Sequence, residues 1–199
     1  EWTSNSSTSA IIAEDAANFF FPDKLWTSLT EVRLNDGNGV SAGNIDVVLV
    51  AYDERGHIVD FGSLEVQAVY ISGNVRRPFE QYMNDPSTYL TSEYSIKGNR
   101  PRPDYLSSSR KRLVPQLLYK GTILKSWNKK QAVALHQSFY DTLPNLDEVD
   151  EKDADIAWFI YNLEQDETSG QYQLRRQRTV YTLFKPSLDQ ITTPVPSDM

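Results

Sequence analysis

Three residues of this 199-residue chain have types and spacing suited to cleaving a phosphodiester: Asp46, Glu65 and Gln67. Glu65 and Gln67 stand two apart in an alternating run, so a strand there would project both from one face. Glu65 lies between Leu64 and Val66 in a segment that otherwise reads as core. A carboxylate in such a place is costly unless it is paired or binds a metal. Asp46 opens the preceding β-branched run, and a hairpin would bring it opposite the pair. Two carboxylates with a backbone carbonyl between them, that of Val66, would make half of an oxygen shell. Mg2+ suits this arrangement because it keeps several waters, and a water with lowered pKa attacks a phosphodiester in line. The same acids facing solvent from a one-sided sheet would do none of this, and the spacing alone leaves both readings open.

The elements that must position these residues follow from the patterning. Ile45 to Asp53 alternates, Asp53-Glu54-Arg55-Gly56 is turn chemistry, and Ile58 to Ile71 alternates again, which predicts a β-hairpin. Upstream, Ser- and Thr-rich residues 1–10 read as a flexible lead-in. Pro22 opens a predicted helix with Leu25, Leu29 and Val32 at helical spacing, ended by the Asp36-Gly37-Asn38-Gly39 turn. Residues 73–108, rich in Pro, Ser, Asn and Tyr, read as a long irregular excursion of a functional kind. Leu113, Leu117, Leu124 and Trp127 make an apolar seam that predicts a helix over residues 109–127, with Pro115 in its first turn or at a kink. A short helix over 129–143, an acidic connector over 147–155, strands over 156–163 and 172–183, and a tail over 186–199 complete the pattern.

Composition narrows the chemistry. The chain has no Cys and two His, His57 and His136, which excludes thiol nucleophiles, Cys-ligated zinc and His-rich metal sites. Both histidines read as structural or exposed. A metal must therefore be held by oxygen, as Mg2+ or Mn2+ is. No apolar run is long enough to span a membrane. No Gly-Lys-Ser/Thr loop and no G-x-S-x-G motif is present, which disfavours NTPases and Ser hydrolases. The net charge of -7 hides an asymmetry. Residues 73–130 carry twelve Lys/Arg and four Asp/Glu, a net of +8, so a polyanion-facing surface is expected in the middle of the chain. Arg76, Arg77, Arg100, Arg102, Arg110, Lys111 and Arg112 are its phosphate-contact candidates. Arg176 and Arg178 would share a strand face and pair with the acidic connector. The absence of Cys and of an export signal fits a cytoplasmic protein, and the start at Glu1 fits a piece of a longer or processed chain.

The segments Gly43-Asn-Ile-Asp46, Phe61-Gly-Ser-Leu-Glu65-Val-Gln67 and Arg76-Arg77 resemble the PD-(D/E)XK nuclease core, in the variant with Gln at the usual Lys position. The resemblance is to NotI-type restriction endonucleases, whose nuclease motif has the same aromatic-Gly-x-Leu-Glu-aliphatic-Gln form. It extends at low identity from Leu25 to Leu183, through Lys111-Arg112-Leu-Val-Pro-Gln-Leu-Leu-Tyr119-Lys and Ala157-Trp158-Phe-Ile. It implies an α/β fold, a mixed central sheet flanked by helices, as a single nuclease domain over residues 1–199. It also implies that Asp46 and Glu65 bind the catalytic metal and that Gln67 orients the water or a phosphate oxygen. Glu31, fifteen residues before Asp46 on the predicted helix, is the candidate for the family's further acidic residue. Without Cys, the family's cysteine-bound metal site must be absent. No counterpart of its long N-terminal region is present either.

A neutral amide positions but does not neutralise, so strict dependence on a divalent metal, with Mn2+ tolerated, is expected. The resemblance implies a type II restriction enzyme acting on double-stranded DNA, alongside a cognate methyltransferase if the system is one of restriction and modification. Cutting both strands of a palindrome needs two active sites, hence a homodimer. Two other readings stand beside this one. One is a phage, repair or defence-system nuclease domain of the same fold, and the other is a catalytically silent DNA-binding module.

Overall fold

The spacing of Leu25, Leu29 and Val32 does not make a helix. In the computed structural model, which describes residues 8–87, 101–168 and 170–193, they lie on strand β1 (Leu25–Asn35). A separation of four satisfies a period of two as well as 3.6, and Trp26, Thr27, Thr30 and Val32 favour extended chain. The helix comes earlier and takes in the last three residues of the expected lead-in, whose residues 1–7 lie outside the described residues. It is α1 (Thr8–Phe20), whose Ala13, Ala16, Ala17 and Phe20 form one buried stripe. Pro22 follows its end, where the chain cannot continue helical.

The remaining elements are β2 (Ser41–Tyr52), β3 (Ile58–Gln67), β4 (Tyr70–Ser72), α2 (Arg76–Asn84), β5 (Arg102–Asp104), α3 over residues 105–126, β6 (Gln131–His136), α4 (Gln137–Tyr140), β7 (Ile156–Gln165), β8 (Tyr172–Thr182) and α5 (Phe184–Thr192). The expected β2–β3 hairpin forms, with Val47 opposite Leu64 and Val50 opposite Phe61, but its second strand ends at Gln67 rather than Ile71, and Tyr70 and Ile71 belong to β4 in a separate two-stranded sheet with β5. Asp53 Oδ1 closes its turn by accepting from the N–H groups of Arg55 and His57, both at 2.9 Å. A six-stranded mixed sheet runs in the order β1-β2-β3-β6-β7-β8. Strands β3, β6 and β7 are parallel and their outer neighbours antiparallel. The helix expected over 129–143 is instead β6 followed by α4. Five consecutive buried residues, Gln131 to Leu135, fit a strand covered on both faces. The expected excursion over 73–108 contains α2 and β5, and α5 occupies the first half of the expected tail.

Helices cover both faces of the sheet. On one, α1 packs Ala16, Ala17 and Phe20 against Leu49, Leu64, Ala132 and Phe159. On the other, Leu113 and Leu117 of α3 and Phe184 and Leu188 of α5 pack against Val133, Leu135, Trp158 and Ile160. Gly62 lies directly under Phe20 of α1. A Cβ on it would stand 2.5 Å from the Phe20 ring, so only glycine admits this helix so near the sheet. A β-bulge between Ile160 and Tyr161 shifts the β7–β8 register, pairing Ile160 with Arg178 and Tyr161 with Arg176. It also undoes the expected shared face. Arg176 pairs with Asp15 of α1 at 2.8 Å, whereas Arg178 lies over Tyr140 of α4.

Helix α3 keeps helical dihedrals through two π-turns, Ser109–Leu113 and Leu117–Gly121. Pro115 has no N–H to donate, and the first π-turn ends two residues before it. The predicted seam holds at Leu113, Leu117 and Leu124, but Trp127 lies past the helix end and is exposed.

Candidate active site

Continuing the β2–β3 register past Val47 and Leu64 puts Asp46 opposite Glu65, on the sheet face that α3 covers. Asp46 Oδ2 accepts the N–H of Val66 at 2.8 Å, which fixes its carboxylate beside the neighbouring strand. Glu65 and Gln67 are each only 5% exposed. The sequence-derived trio therefore meets in space, with Glu65 and Gln67 pointing into the protein.

What α3 brings to them was not singled out in advance. Lys120, 4% exposed, places Nζ 2.6 Å from Glu65 Oε1 and donates to the carbonyl of Asn44 at 2.7 Å. One turn earlier, Gln116 Oε1 accepts from Gln67 Nε2. One turn before that, the Arg112 guanidinium lies 5.9 Å from the centre of the Tyr70 ring. The match is geometric. Residues two apart on a strand are separated by roughly 6.6 Å, and residues four apart on a helix by roughly 6 Å. Polar residues at 116 and 120 can thus face positions 67 and 65 in step. The start of α3 is held in place by Ser108, whose Oγ accepts from Tyr70 N at 2.8 Å and donates to Asp104 O at 2.7 Å. Asp104 caps the helix by accepting from Ser107 N at 2.9 Å. The signal for Lys120 was present in the sequence. It falls on the apolar seam, three residues after Leu117 and four before Leu124, where a solvated lysine does not belong.

Burial pushes the Glu65 carboxyl up to about 7; the Lys120 ammonium opposes this and the Asp46 carboxylate adds to it. Glu65 Oε2 and Gln67 Oε1 are buried without a hydrogen-bond partner among the described residues. Unpartnered acceptors of this kind are costly unless something positive or hydrogen-bearing fills the space between them. They fit an oxygen-coordinated divalent ion with retained waters, held by Asp46, Glu65 and the Val66 carbonyl. Among the described residues there is no cluster of three or more His, Cys, Asp or Glu that could hold a metal.

Glu31 is not on a helix. It lies on β1 between the Thr30–Val47 and Val32–Ile45 pairs, hence across from Asp46 in register, with a φ of +54°. Its exposed carboxylate accepts from Asn44 Nδ2 at 3.2 Å.

Residues 5–174 match the family described as restriction endonuclease NotI. The chain belongs to this NotI restriction endonuclease family. No curated protein matches it. The match takes in α1 and β1 to β7, and so every residue of the site just described.

Within this NotI-family fold the basic candidates separate into groups. Arg102 on β5 and Arg110, Lys111 and Arg112 on α3 flank the β5–α3 junction, the last three one to two turns from Gln116. Arg102 Nε reaches Ser72 Oγ at 3.4 Å, and the charges of Lys111 and Arg102 add to the cap that holds the Asp104 carboxyl below the usual range. Arg76 and Arg77 are exposed on α2, where Arg76 pairs with Glu80 at 2.6 Å. Arg100 lies outside the described residues. His57 sits in the hairpin turn beside Asp53, and Nδ1 of His136, at the end of β6, accepts from Ser138 N at 3.1 Å. Among the described residues no helix is long and apolar enough to cross a membrane.

Proposed function

We propose that this chain is a divalent-metal-dependent DNA endonuclease of the PD-(D/E)XK type, in its Gln variant, cleaving double-stranded DNA as a type II restriction enzyme does. The observation that carries this reading is the opposition of Asp46 and Glu65 on adjacent strands, beside the unpartnered buried oxygens of Glu65 and Gln67. Family membership supports it independently. Asp46, Glu65 and the Val66 carbonyl would hold Mg2+ or Mn2+. The ion, when bound, supplies a water of lowered pKa and neutralises charge on the phosphate.

The chain's own residues do the rest. Asp46 is pre-set by the Val66 N–H. Gln67, with its Nε2 committed to Gln116, offers Oε1 to hold a hydrogen of the attacking water. Glu31, strained and across from Asp46, is kept as an accessory catalytic candidate. Arg102, Arg110, Lys111 and Arg112, followed outward by Arg76 and Arg77, provide the electrostatic track for the DNA backbone. Two such sites in a homodimer would cut both strands, and a partner methyltransferase would protect the host's own DNA.

The test is incubation of plasmid and phage DNA with Mg2+, with Mn2+ and with EDTA. Discrete fragments only in the presence of metal support a restriction enzyme. Smearing or nicking points to a nuclease of another role, and metal-independent binding without cleavage to a silent DNA-binding module.

A further inference from the structure

We propose that Lys120 is the cationic catalytic residue of this site, brought by α3 against Glu65, with its ammonium on a non-bridging oxygen of the scissile phosphate. This rests on the nuclease reading above.

The donor inventory points to it. An ammonium has three N–H groups. Lys120 directs one at Glu65 and one at the Asn44 carbonyl, which leaves the third for a group entering between the strand pair and the helix. The neighbouring amide cannot take this role, because Gln67 is neutral and its Nε2 is already given to Gln116.

Charge balance points the same way. Ionised Asp46 and Glu65 with Lys120 leave one net negative charge. A divalent ion turns that into one positive charge, the complement of a single phosphodiester. A buried Lys–Glu pair is a weak source of stability compared with apolar packing, so stability alone does not explain why a lysine stands in a leucine seam. Its setting is also tightly built. Lys120 lies within the second π-turn, and π-turns concentrate at functional sites. The next residue is Gly121, where a Cβ would stand 2.5 Å from the Phe184 ring, so α5 presses against the turn that aims the lysine.

In the step itself, the water oxygen forms a bond to phosphorus and the bond from phosphorus to the leaving sugar oxygen breaks. The water's proton passes to solvent, and the leaving oxygen takes a proton from solvent. Lys120 donates its remaining hydrogen bond to the charged phosphoryl oxygen and gives up no proton.

The experiment compares wild-type protein with Lys120→Met, Lys120→Arg and the double variant Lys120→Met/Gln67→Lys. Single-turnover cleavage is measured with Mg2+, DNA affinity with Ca2+, and Mn2+ affinity by calorimetry. Lys120→Met should lower kcat by about 10²–10³-fold, in the range for loss of one preorganised charge donor. KM should stay within roughly threefold, and Mn2+ should bind at least as tightly because a competing positive charge is gone. Lys120→Arg should retain part of the rate, and relocating the lysine to position 67 should recover at least about tenfold over Lys120→Met. A lysine that merely holds Glu65 in place would weaken Mn2+ binding and would not be rescued from position 67; that outcome overturns the proposal. So does cleavage by Lys120→Met within about threefold of wild type. If Lys120→Met does not fold, absence of cleavage by both the Arg and the relocated variants, with Mn2+ binding retained, overturns it. A wild-type protein that cuts no DNA with either metal overturns the nuclease reading and this inference with it. Cleavage by wild type that is undiminished in Lys120→Met removes this inference alone.

Discussion

Asp46 Oδ2 accepts the backbone N–H of Val66 at 2.8 Å, so one catalytic candidate is fastened to the strand that carries the other. Asp46→Asn keeps an oxygen for that hydrogen bond but removes the charge. It should leave the melting temperature within about 3 °C and lower metal-dependent cleavage by more than about 100-fold, since loss of a ligand exceeds the cost of disturbing one indirectly. Calorimetry and cleavage assays on the same preparation check both halves. Glu65→Gln is the matching variant on β3. Glu65→Ala would strand the buried Lys120 ammonium and confound activity with stability.

The raised Glu65 carboxyl predicts how stability varies with pH. Its folded-state value of about 7 exceeds its ordinary value of 4.5, mainly through burial. Between those values the folded state holds a proton that the unfolded state has lost. The stability present below pH 4.5 therefore declines as pH rises, until the group has ionised in the fold near pH 7. The full shift is equivalent to about 3 kcal/mol, or roughly 5–10 °C for a protein of this size. Melting scans from pH 5 to 8 in EDTA should show that decline, and Glu65→Gln should flatten it. Saturating Mg2+ should also reduce it, because the metal takes the proton's place.

Gly62 and Phe20 make a second, purely structural prediction. Gly62→Ala puts a methyl group 2.5 Å from the Phe20 ring in a packed layer and should cost about 1–3 kcal/mol. Combining it with Phe20→Leu should cost less than the two single changes added together, which a double-mutant cycle by urea unfolding measures.

Glu31 holds a φ of +54° that a side chain resists and glycine accepts. Glu31→Gly should therefore raise stability by up to about 1 kcal/mol. If the strain serves catalysis, the same variant should lose activity, and Glu31→Gln should lose activity without gaining stability.

Removing one of the charges near the β5–α3 junction should weaken DNA binding uniformly across sequences. For Arg112→Ala the slope of log K against log salt should fall by about 0.9 if the guanidinium contacts one phosphate. Titrations in Ca2+ at several salt concentrations read this directly.

The parts of the fold legible in the sequence were those with one governing period. The β2–β3 hairpin declared itself by alternation and a Gly-ended turn, and the same period put Glu65 and Gln67 on one face. The β7 and β8 strands were legible as two β-rich runs around a turn signal ending at Gly170, although β7, buried from Ile156 to Tyr161, does not alternate. Leu25 and Leu29 misled because a spacing of four belongs to both regular structures. β6 was hidden because a strand buried on both faces does not alternate, and the β7–β8 bulge sent Arg176 and Arg178 to opposite faces. Lys120 was missed for a different reason. Reading the seam through its leucines passes over the charged residue between them, although that residue is the informative one.

The short ladder of β4 and β5 pairs Ser72 with Arg102, so the two ends of the twenty-nine-residue stretch between them lie side by side. Lengthening a loop closed in this way adds little entropic cost. An enzyme built on this plan can exchange or extend that whole stretch while Glu65 and α3 keep their spacing.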